Sequence, residues 1–327
     1  MRWDLHGVSV QATAADGFLR QVIAEGMESL PRSPAAGQQR SCEYRATFSA
    51  KVPDRAGWAL LGQVPMVKGK VVLPLVIRTA SDPDRLAIDY GGRASAHIDY
   101  ESRQIEVAVH DPRYFQAYYD PLYTSSVLFK SLLLEVLPEH GTYPLHAGMC
   151  ELGGSGVIVC GEPGTGKTLL VLVLTQRGFG YLSDELGFIT AGAGPIECLA
   201  FPIRGRLRLP TGATAPVLPD EAMVERTNGQ AVFAPARLPG RLATRAIPRI
   251  LLNVTGTTEG ASRLTACDAL DALQALTLYE VYYGDRHKSS QFTICADLAG
   301  QVSAYDVLVG TDYDALARQV GRLVASD

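Results

Sequence analysis

Basic runs are missing from this chain. Its 327 residues carry a formal net charge of −4, and Lys and Arg never gather into a long block. A general nucleic-acid binder shows a strongly basic face, so nucleic acid is not an expected partner. Long apolar runs are missing too. No stretch approaches the ~18 residues of a membrane-spanning helix, and Met1-Arg2-Trp3-Asp4-Leu5-His6 lacks the apolar centre of a secretory signal. These absences predict a cytoplasmic protein with no membrane partner. The six cysteines (Cys42, Cys150, Cys160, Cys198, Cys267, Cys295) include no CxxC pair. Spacing so loose favours buried thiols over disulfides or a zinc site. What is present is apolar material, 47% of the chain against 20% charged. That suffices for a folded core and about two domains, and it excludes a disordered protein.

Two halves differ in texture. From about Glu43 to Val109 the chain reads as short strands between turn signals. Val71–Ile77 follows Lys68-Gly69-Lys70, Leu86–Tyr90 leads through Gly91-Gly92 into Ala94–Tyr100, and Ile105–Val109 alternates after Glu101-Ser102-Arg103. This spacing predicts an antiparallel sheet. Residues 27–41, rich in Ser, Pro, Gly and Gln, read as a mobile loop. Asp120-Pro121 then opens a helix carrying Leu128, Phe129, Leu132, Leu133 and Val136, which Pro138 and Gly141 stop. Strands and helices alternate from there. Capping-box spacing pairs Thr265 with Asp268 and Thr311 with Asp314, and Leu316, Val320, Leu323 and Val324 stripe the last helix. The division expected is a β-rich N-terminal region, 1–117, and an α/β region, 118–327. No internal repeat is visible.

The second region contains one sharp motif. Gly156–Cys160 is a short apolar strand, and it runs into Gly161-Glu162-Pro163-Gly164-Thr165-Gly166-Lys167-Thr168, which matches GxxxxGK[ST] at every fixed position. Glycines let successive backbone N–H groups turn inward around phosphate oxygens, and the following helix adds its positive N-terminal dipole. Lys167 reaches the β- and γ-phosphates, and Thr168 offers a hydroxyl to Mg²⁺. The segment Leu169–Leu174 is apolar on every side and alone reads as a buried strand. A phosphate loop must feed a helix, however, and Gln176-Arg177-Gly178 reads as a helix end. The expectation is a helix buried all round.

A phosphate loop serves kinases, GTPases, motors and transporters alike, so the flanks decide. His146 sits in Pro144–Gly154, read as a strand joined to the loop strand by Gly153–Gly156. Downstream, Gly178–Glu185 gives a helix end, a strand, and Asp184 and Glu185 at its tip. Adjacent strand residues face opposite ways, so both acids can face the phosphate only if the strand ends or bends there. At this point the chain resembles the bacterial HPr serine kinase/phosphorylase family and its smaller relatives associated with modification of ribosomally made peptides. The resemblance rests on His146-Ala147, Gly161–Thr168, and Arg177–Glu185, and it covers about 45 residues. Its second signature survives only as Pro202-Ile203-Arg204-Gly205-Arg206, without an acidic metal ligand. That loss argues against the phosphorolysis that bifunctional members also perform.

The resemblance implies an α/β fold, an HPr-kinase-like P-loop core with an N-terminal β-rich accessory domain that positions the acceptor. It implies ATP and Mg²⁺ as cofactors. It gives Asp184 and Glu185 the tasks of holding the metal, with Thr168, and of accepting the substrate hydroxyl's proton; which of the two is the base stays open. His146 keeps that base competent. Arg204 and Arg206 are candidates for phosphate or an acidic substrate, since guanidinium matches such groups bidentately. Arg237, Arg241, Arg245 and Arg249 recur every four residues, but Pro239, Gly240 and Pro248 oppose a helix. Gly284–Ser290 is a polar loop of the kind that covers a site. The function expected is phosphorylation of a Ser or Thr hydroxyl in a peptide or small protein, with a ribosomally made precursor peptide as the specific version. A kinase for a small-molecule alcohol and a nucleotide-sensing module without transfer remain alternatives, and a homo-oligomer is left open.

Overall fold

The computed structural model describes residues 2–14, 17, 20, 24, 42–49, 59–68, 71–79, 84–90, 94–109, 131–190, 192, 194–203, 205–208, 218–227, 230–278 and 286–326. The loop expected at 27–41 lies outside them, as do Asp120, Pro121, Leu128, Phe129 and Arg204. The chain divides into two compact units: Met1–His140 with Tyr282–Lys288, and Gly141–Val281 with Ser289–Asp327.

The first unit is built on an eight-stranded sheet. Its strands are β1 (Arg2–Leu5), β2 (Val8–Ala14), β3 (Cys42–Ser49), β4 (Ala59–Lys68), β5 (Val71–Thr79), β6 (Arg85–Tyr90), β7 (Ala94–Asp99) and β8 (Gln104–Val109). Strands β4 to β8 form an antiparallel meander, of which β5 to β8 are the strands that the turn signals predict. The sheet is not antiparallel throughout, because β3 pairs parallel with both β2 and β8. Those partners are distant in sequence, and turn residues report only on neighbours. The β1–β2 hairpin turns on His6 and Gly7, both at positive φ (49° and 89°), which suits the twist of a two-residue connection. Along β3, Tyr44, Ala46 and Phe48 are buried while Arg45 and Thr47 are exposed, the alternation of a sheet with one covered face. Residues 131–136 are helical and bury Leu132, Leu133 and Val136. A 3₁₀ turn at Leu137–His140 ends them, where Pro138 removes a backbone donor and Gly141 adopts φ 70°.

The second unit is mixed α/β. Its strands are β9 (Thr142–Leu145), β10 (Gly148–Leu152), β11 (Ser155–Gly161), β12 (Gly180–Ser183), β13 (Gly187–Thr190), β14 (Glu197–Leu199), β15 (Gly205–Arg208), β16 (Met223–Thr227), β17 (Gln230–Phe233), β18 (Arg245–Thr257), β19 (Arg263–Cys267) and β20 (Ser303–Val309). Its helices are α1 (Lys167–Gln176), α2 (Ala269–Thr277), α3 (Lys288–Ala299) and α4 (Tyr313–Ser326). Three parallel strands form the centre: β18 lies between β11 and β20. β10 and β12 extend one side antiparallel, β19 closes the other, and β14, β13 and β9 follow the start of β18. β15, β17 and β16 make a separate three-stranded sheet.

Helix α1 is the helix expected after the loop, with Leu170–Thr175 all buried. It is apolar all round because it is enclosed on several sides: by β10, β11 and β12, by α4, and by β15. Leu207, Ala231 and Phe233 of the small sheet and Leu316, Val320 and Val324 of α4 share its core cluster. Each buried Leu or Val here contributes on the order of 1.5–3 kcal/mol. The helix ends at Arg177 and Gly178 (φ 97°), with Gly178 N–H donating to Thr175 O (3.3 Å) and Phe179 N–H to Leu174 O (3.2 Å), the double bond of a glycine-terminated helix. Neither expected capping box forms as spaced. Thr265 lies in β19, and Asp268 caps α2 with Asp271 as its reciprocal partner. In α4 the first turn bonds to Asp312 O, not to Thr311. Asp268 accepts from the first amides of α2 as well as Thr would, whereas Asp312 serves α4 only through its carbonyl, its carboxylate accepting from Ser262.

Candidate functional site

The loop from Gly161 to Thr168 leaves the end of β11 and enters α1. Three of its glycines sit at positive φ: Gly161 (134°), Gly164 (90°) and Gly166 (111°). A side chain at Gly161 would also collide with the carbonyl of Val254 in β18, so glycine is required there twice over. Thr165 stiffens the turn, donating from its N–H (3.3 Å) and its hydroxyl (2.9 Å) to Glu162 O. Gly166 stands at the N-cap of α1 with no side chain accepting from the first amides, and the first turn holds no acidic residue. The helix therefore presents uncompensated N–H groups, an anion-binding end.

Lys167 folds back over this loop, with Nζ donating to Gly161 O (2.8 Å) and Glu162 O (3.0 Å). Burial pushes its ammonium below the ordinary lysine range, while the nearby Asp184 and Glu185 carboxylates pull the other way. Thr168 Oγ1 donates to Asp184 Oδ2 at 3.2 Å. The two acids differ in setting: Asp184 is 5% exposed, whereas Glu185 is open to solvent.

How adjacent acids come to the same place is a matter of strand register. β12 carries an extra residue, Leu182, because Met149 pairs with Ser183 but Cys150 pairs with Tyr181. A bulge of this kind bends its strand and re-aims the side chains beyond it. The strand then ends at Ser183, and Asp184 and Glu185 lie in the bend before β13. On the opposite chain His146 and Ala147 form a second bend, so His146 is not within a strand as expected but between β9 and β10. Met149 pairs with Ser183, and Leu145 pairs with Gly187, four residues away on both chains. The ladder is thus interrupted across 146–148 and 184–186 while its register is kept. This brings the half-buried His146 segment opposite the acidic pair. Gly148, which sequence reasoning passed over, makes the approach possible: a Cβ there would overlap the Val171 side chain of α1 and lie 3.2 Å from Asp184 O. Its only signal was a glycine opening a largely apolar strand, Gly148–Leu152.

The remaining candidates fall elsewhere. Arg206 is exposed on β15 between buried Gly205 and Leu207, on a strand that contacts α1. Of the four-residue arginine series, Arg241 pairs with Glu151 and Arg245 with Glu197 (3.3 Å). From the polar loop, Arg286 bonds Glu139 (2.5 Å) and Asp84 (3.0 Å), and His287 bonds Glu139 (2.7 Å). Cys150, Cys160, Cys198 and Cys295 are buried free thiols. Burial pushes Cys150, Cys160 and Cys295 up to about 12, too high for a thiolate nucleophile beside the loop.

The arrangement is that of a mixed α/β protein with a strand–glycine-loop–helix unit and a hydroxyl–carboxylate contact between Thr168 and Asp184. No protein-family model matches the chain, and no curated protein matches it. Among solved structures it is similar to the Hpr(Ser) kinase/phosphatase from Coxiella burnetii, at 14% identity, 56% coverage of this chain, 94% of that chain and a TM-score of 0.30. A likeness of that extent assigns no residue a role. Among the described residues no helix is long and apolar enough to cross a membrane.

Proposed function

We propose that this chain is an ATP- and Mg²⁺-dependent kinase that transfers a γ-phosphoryl group to a Ser or Thr hydroxyl of a peptide or small protein. The observation that carries the reading is the 3.2 Å contact between Thr168 Oγ1 and Asp184 Oδ2 beside a glycine loop closed by Lys167. A hydroxyl at the helix start and a carboxylate at a strand end are the two protein ligands that phosphate-loop proteins give to Mg²⁺. The donor set fits that ion. Both are hard oxygens, and Mg²⁺ takes few protein ligands and keeps water and phosphate oxygens.

In this reading the loop amides from Gly161 to Thr168 and the uncapped start of α1 receive the β- and γ-phosphates. Lys167 exchanges its carbonyl partners for phosphate oxygens. Mg²⁺, when bound to Thr168 and Asp184, supplies charge neutralisation on the polyphosphate. Glu185, exposed beside the buried Asp184, takes the proton of the arriving hydroxyl, and His146 across the interrupted ladder holds that carboxylate ready. The acceptor oxygen forms its bond to the γ-phosphorus as the β–γ bridging bond breaks, and ADP leaves. The finer version has 118–327 as an HPr-kinase-like P-loop core and 1–117 as an accessory domain that positions a ribosomally made precursor peptide, with Arg206, and Arg204 beside it, meeting phosphate or acidic groups of the acceptor.

The test is transfer itself. Purified protein, ATP, Mg²⁺ and Ser- or Thr-containing precursor peptides encoded nearby should yield a peptide heavier by one phosphoryl group, placed on the hydroxyl by mass spectrometry and lost when that residue is alanine. ADP release with a metabolite pool but not with peptides would favour the small-molecule kinase. ATP binding without any acceptor-dependent ADP release would overturn the kinase reading in favour of a sensing module.

A further inference from the structure

A cavity of about 460 Å³ opens at the opposite end of the strands that carry the loop. β11 and β18 run parallel, with Ser155 paired to Ile247 at their beginnings and Gly161 to Val254 at their ends. The phosphate loop leaves from Gly161. The cavity lies at the beginning, lined by Glu151, Gly153, Gly154 and the segment Arg241–Arg245. Its volume falls in the ordinary range of small-ligand pockets, about 300–1,000 Å³.

The walls are fixed. Glu151, 3% exposed, accepts from Gly154 N–H through Oε2 (2.9 Å), and its Oε1 pairs with the Arg241 guanidinium. Tyr181 N–H donates to Arg241 O, Ala243 N–H to Tyr181 O, and Ile247 N–H to Gly154 O, each at 2.9 Å. A carboxylate buried at the back thus lies against one guanidinium, while the Arg241 side chain stays 70% exposed. Arg245, 58% exposed, is held by Glu197 Oε2 at 3.3 Å. A guanidinium carries five N–H donors, so one anchoring bond leaves each arginine with donors for another oxyanion. Glu151 and Glu197 balance the two arginines in charge, so it is their remaining N–H donors, and not a net charge, that would meet an oxyanion. Among the lining residues the one large apolar side chain is Leu242, between the arginines and 41% exposed. At Gly153 and Gly154 a Cβ would meet nothing within 4 Å, so the floor is uncluttered.

We infer that this cavity is a second binding site, remote from the loop, for a small organic carboxylate with an apolar body. The carboxylate bridges Arg241 and Arg245, and the body lies over Leu242. The site does not depend on the kinase reading.

The probe is 3-phenylpropionate, titrated into the full chain by calorimetry, with its neutral amide and inorganic phosphate as comparisons. Saturable binding of the acid is expected, without binding of the amide or of phosphate. Arg245→Gln should weaken it about tenfold or more, the scale of a lost charge-assisted hydrogen bond, and Leu242→Ser should weaken it as well. Arg241→Gln would strand the buried Glu151, so these two exposed positions carry the test. Lys167→Ala should bind the acid unchanged; its loss there would place the acid in the phosphate loop and overturn the inference. So would the absence of saturable binding by folded protein, equal binding of the amide or of phosphate, or full affinity in both Arg245→Gln and Leu242→Ser.

Discussion

Lys167 holds two carbonyls of its own loop, Gly161 O and Glu162 O, and so keeps the loop shut with the charge it would lend to phosphate. Its side chain serves the loop and not the core. Lys167→Ala should therefore leave the thermal melt of the protein close to the parent's while abolishing calorimetric binding of ATP–Mg²⁺; unchanged ATP use by the folded variant would remove the loop from the function. The two acids should separate in the same assay. Asp184→Asn takes the carboxylate from beside Thr168 and, on the proposed reading, should weaken the Mg²⁺ dependence of nucleotide binding as well as transfer. Glu185→Gln should leave nucleotide binding intact and lower transfer by about 10²–10⁴, the usual range for a lost general base. If instead Glu185→Gln transfers at the parent rate, Glu185 is not the base and Asp184 is the next candidate. The loop was legible in the sequence because each glycine answers a local backbone demand. The split between a buried Asp184 and an exposed Glu185 was not, since it depends on a bulge at Leu182 that only the partner strand reveals.

At the scale of elements, α1 shows where pattern reading needs a second argument. Its apolar run carries no helical periodicity, because β10, β11, β12, α4 and β15 all contact it and no face is left for polar residues. The GxxxxGK[ST] pattern before it and Arg177-Gly178 after it identified the helix where the run itself could not. Leu172→Ala, at a fully buried position, should cost about 2–5 kcal/mol in chemical denaturation, the range for emptying a core leucine site. A loss of only a few tenths would mean that the helix is not enclosed as described. Helix α2 starts at Asp268 and not at Thr265, because Thr and Asp both accept from free amides and sequence spacing does not rank them; α4 starts from the carbonyl of Asp312, whose side chain is taken by Ser262. The β1–β2 hairpin escaped notice altogether, since His6-Gly7 is a weaker turn signal than Asn-Gly or Asp-Gly.

At the scale of the whole molecule, the meander from β5 to β8 was readable and the parallel joins of β3 were not, for the reason that long-range pairing leaves no local trace. The polar stretch near 286 shows the same limit: its charges answer to Glu139 and Asp84, far away in sequence. Burial pushes the Glu139 carboxyl up, but the hydrogen bonds from His287 and Arg286 and their charges outweigh it and hold it at about 2, below the usual 4.5. A carboxyl lowered on folding stabilises the protein fully above its unfolded value and loses that contribution as pH falls toward the folded one. The parent should thus exceed Glu139→Gln in stability by a constant amount above about pH 4.5. The difference should shrink as the pH falls and vanish near 2; an excess that persists there would mean the ion pairs contribute nothing. This contact also orders events at the ribosome. Glu139 is made 147 residues before Arg286. At about 5–20 residues per second the nascent first unit waits roughly 7–30 s for its last piece, and most of the second unit's sheet is already synthesised by then. The segment at 286–287 acts as a late clasp, and a chain stalled between 140 and 285 carries a first unit that is still unfastened.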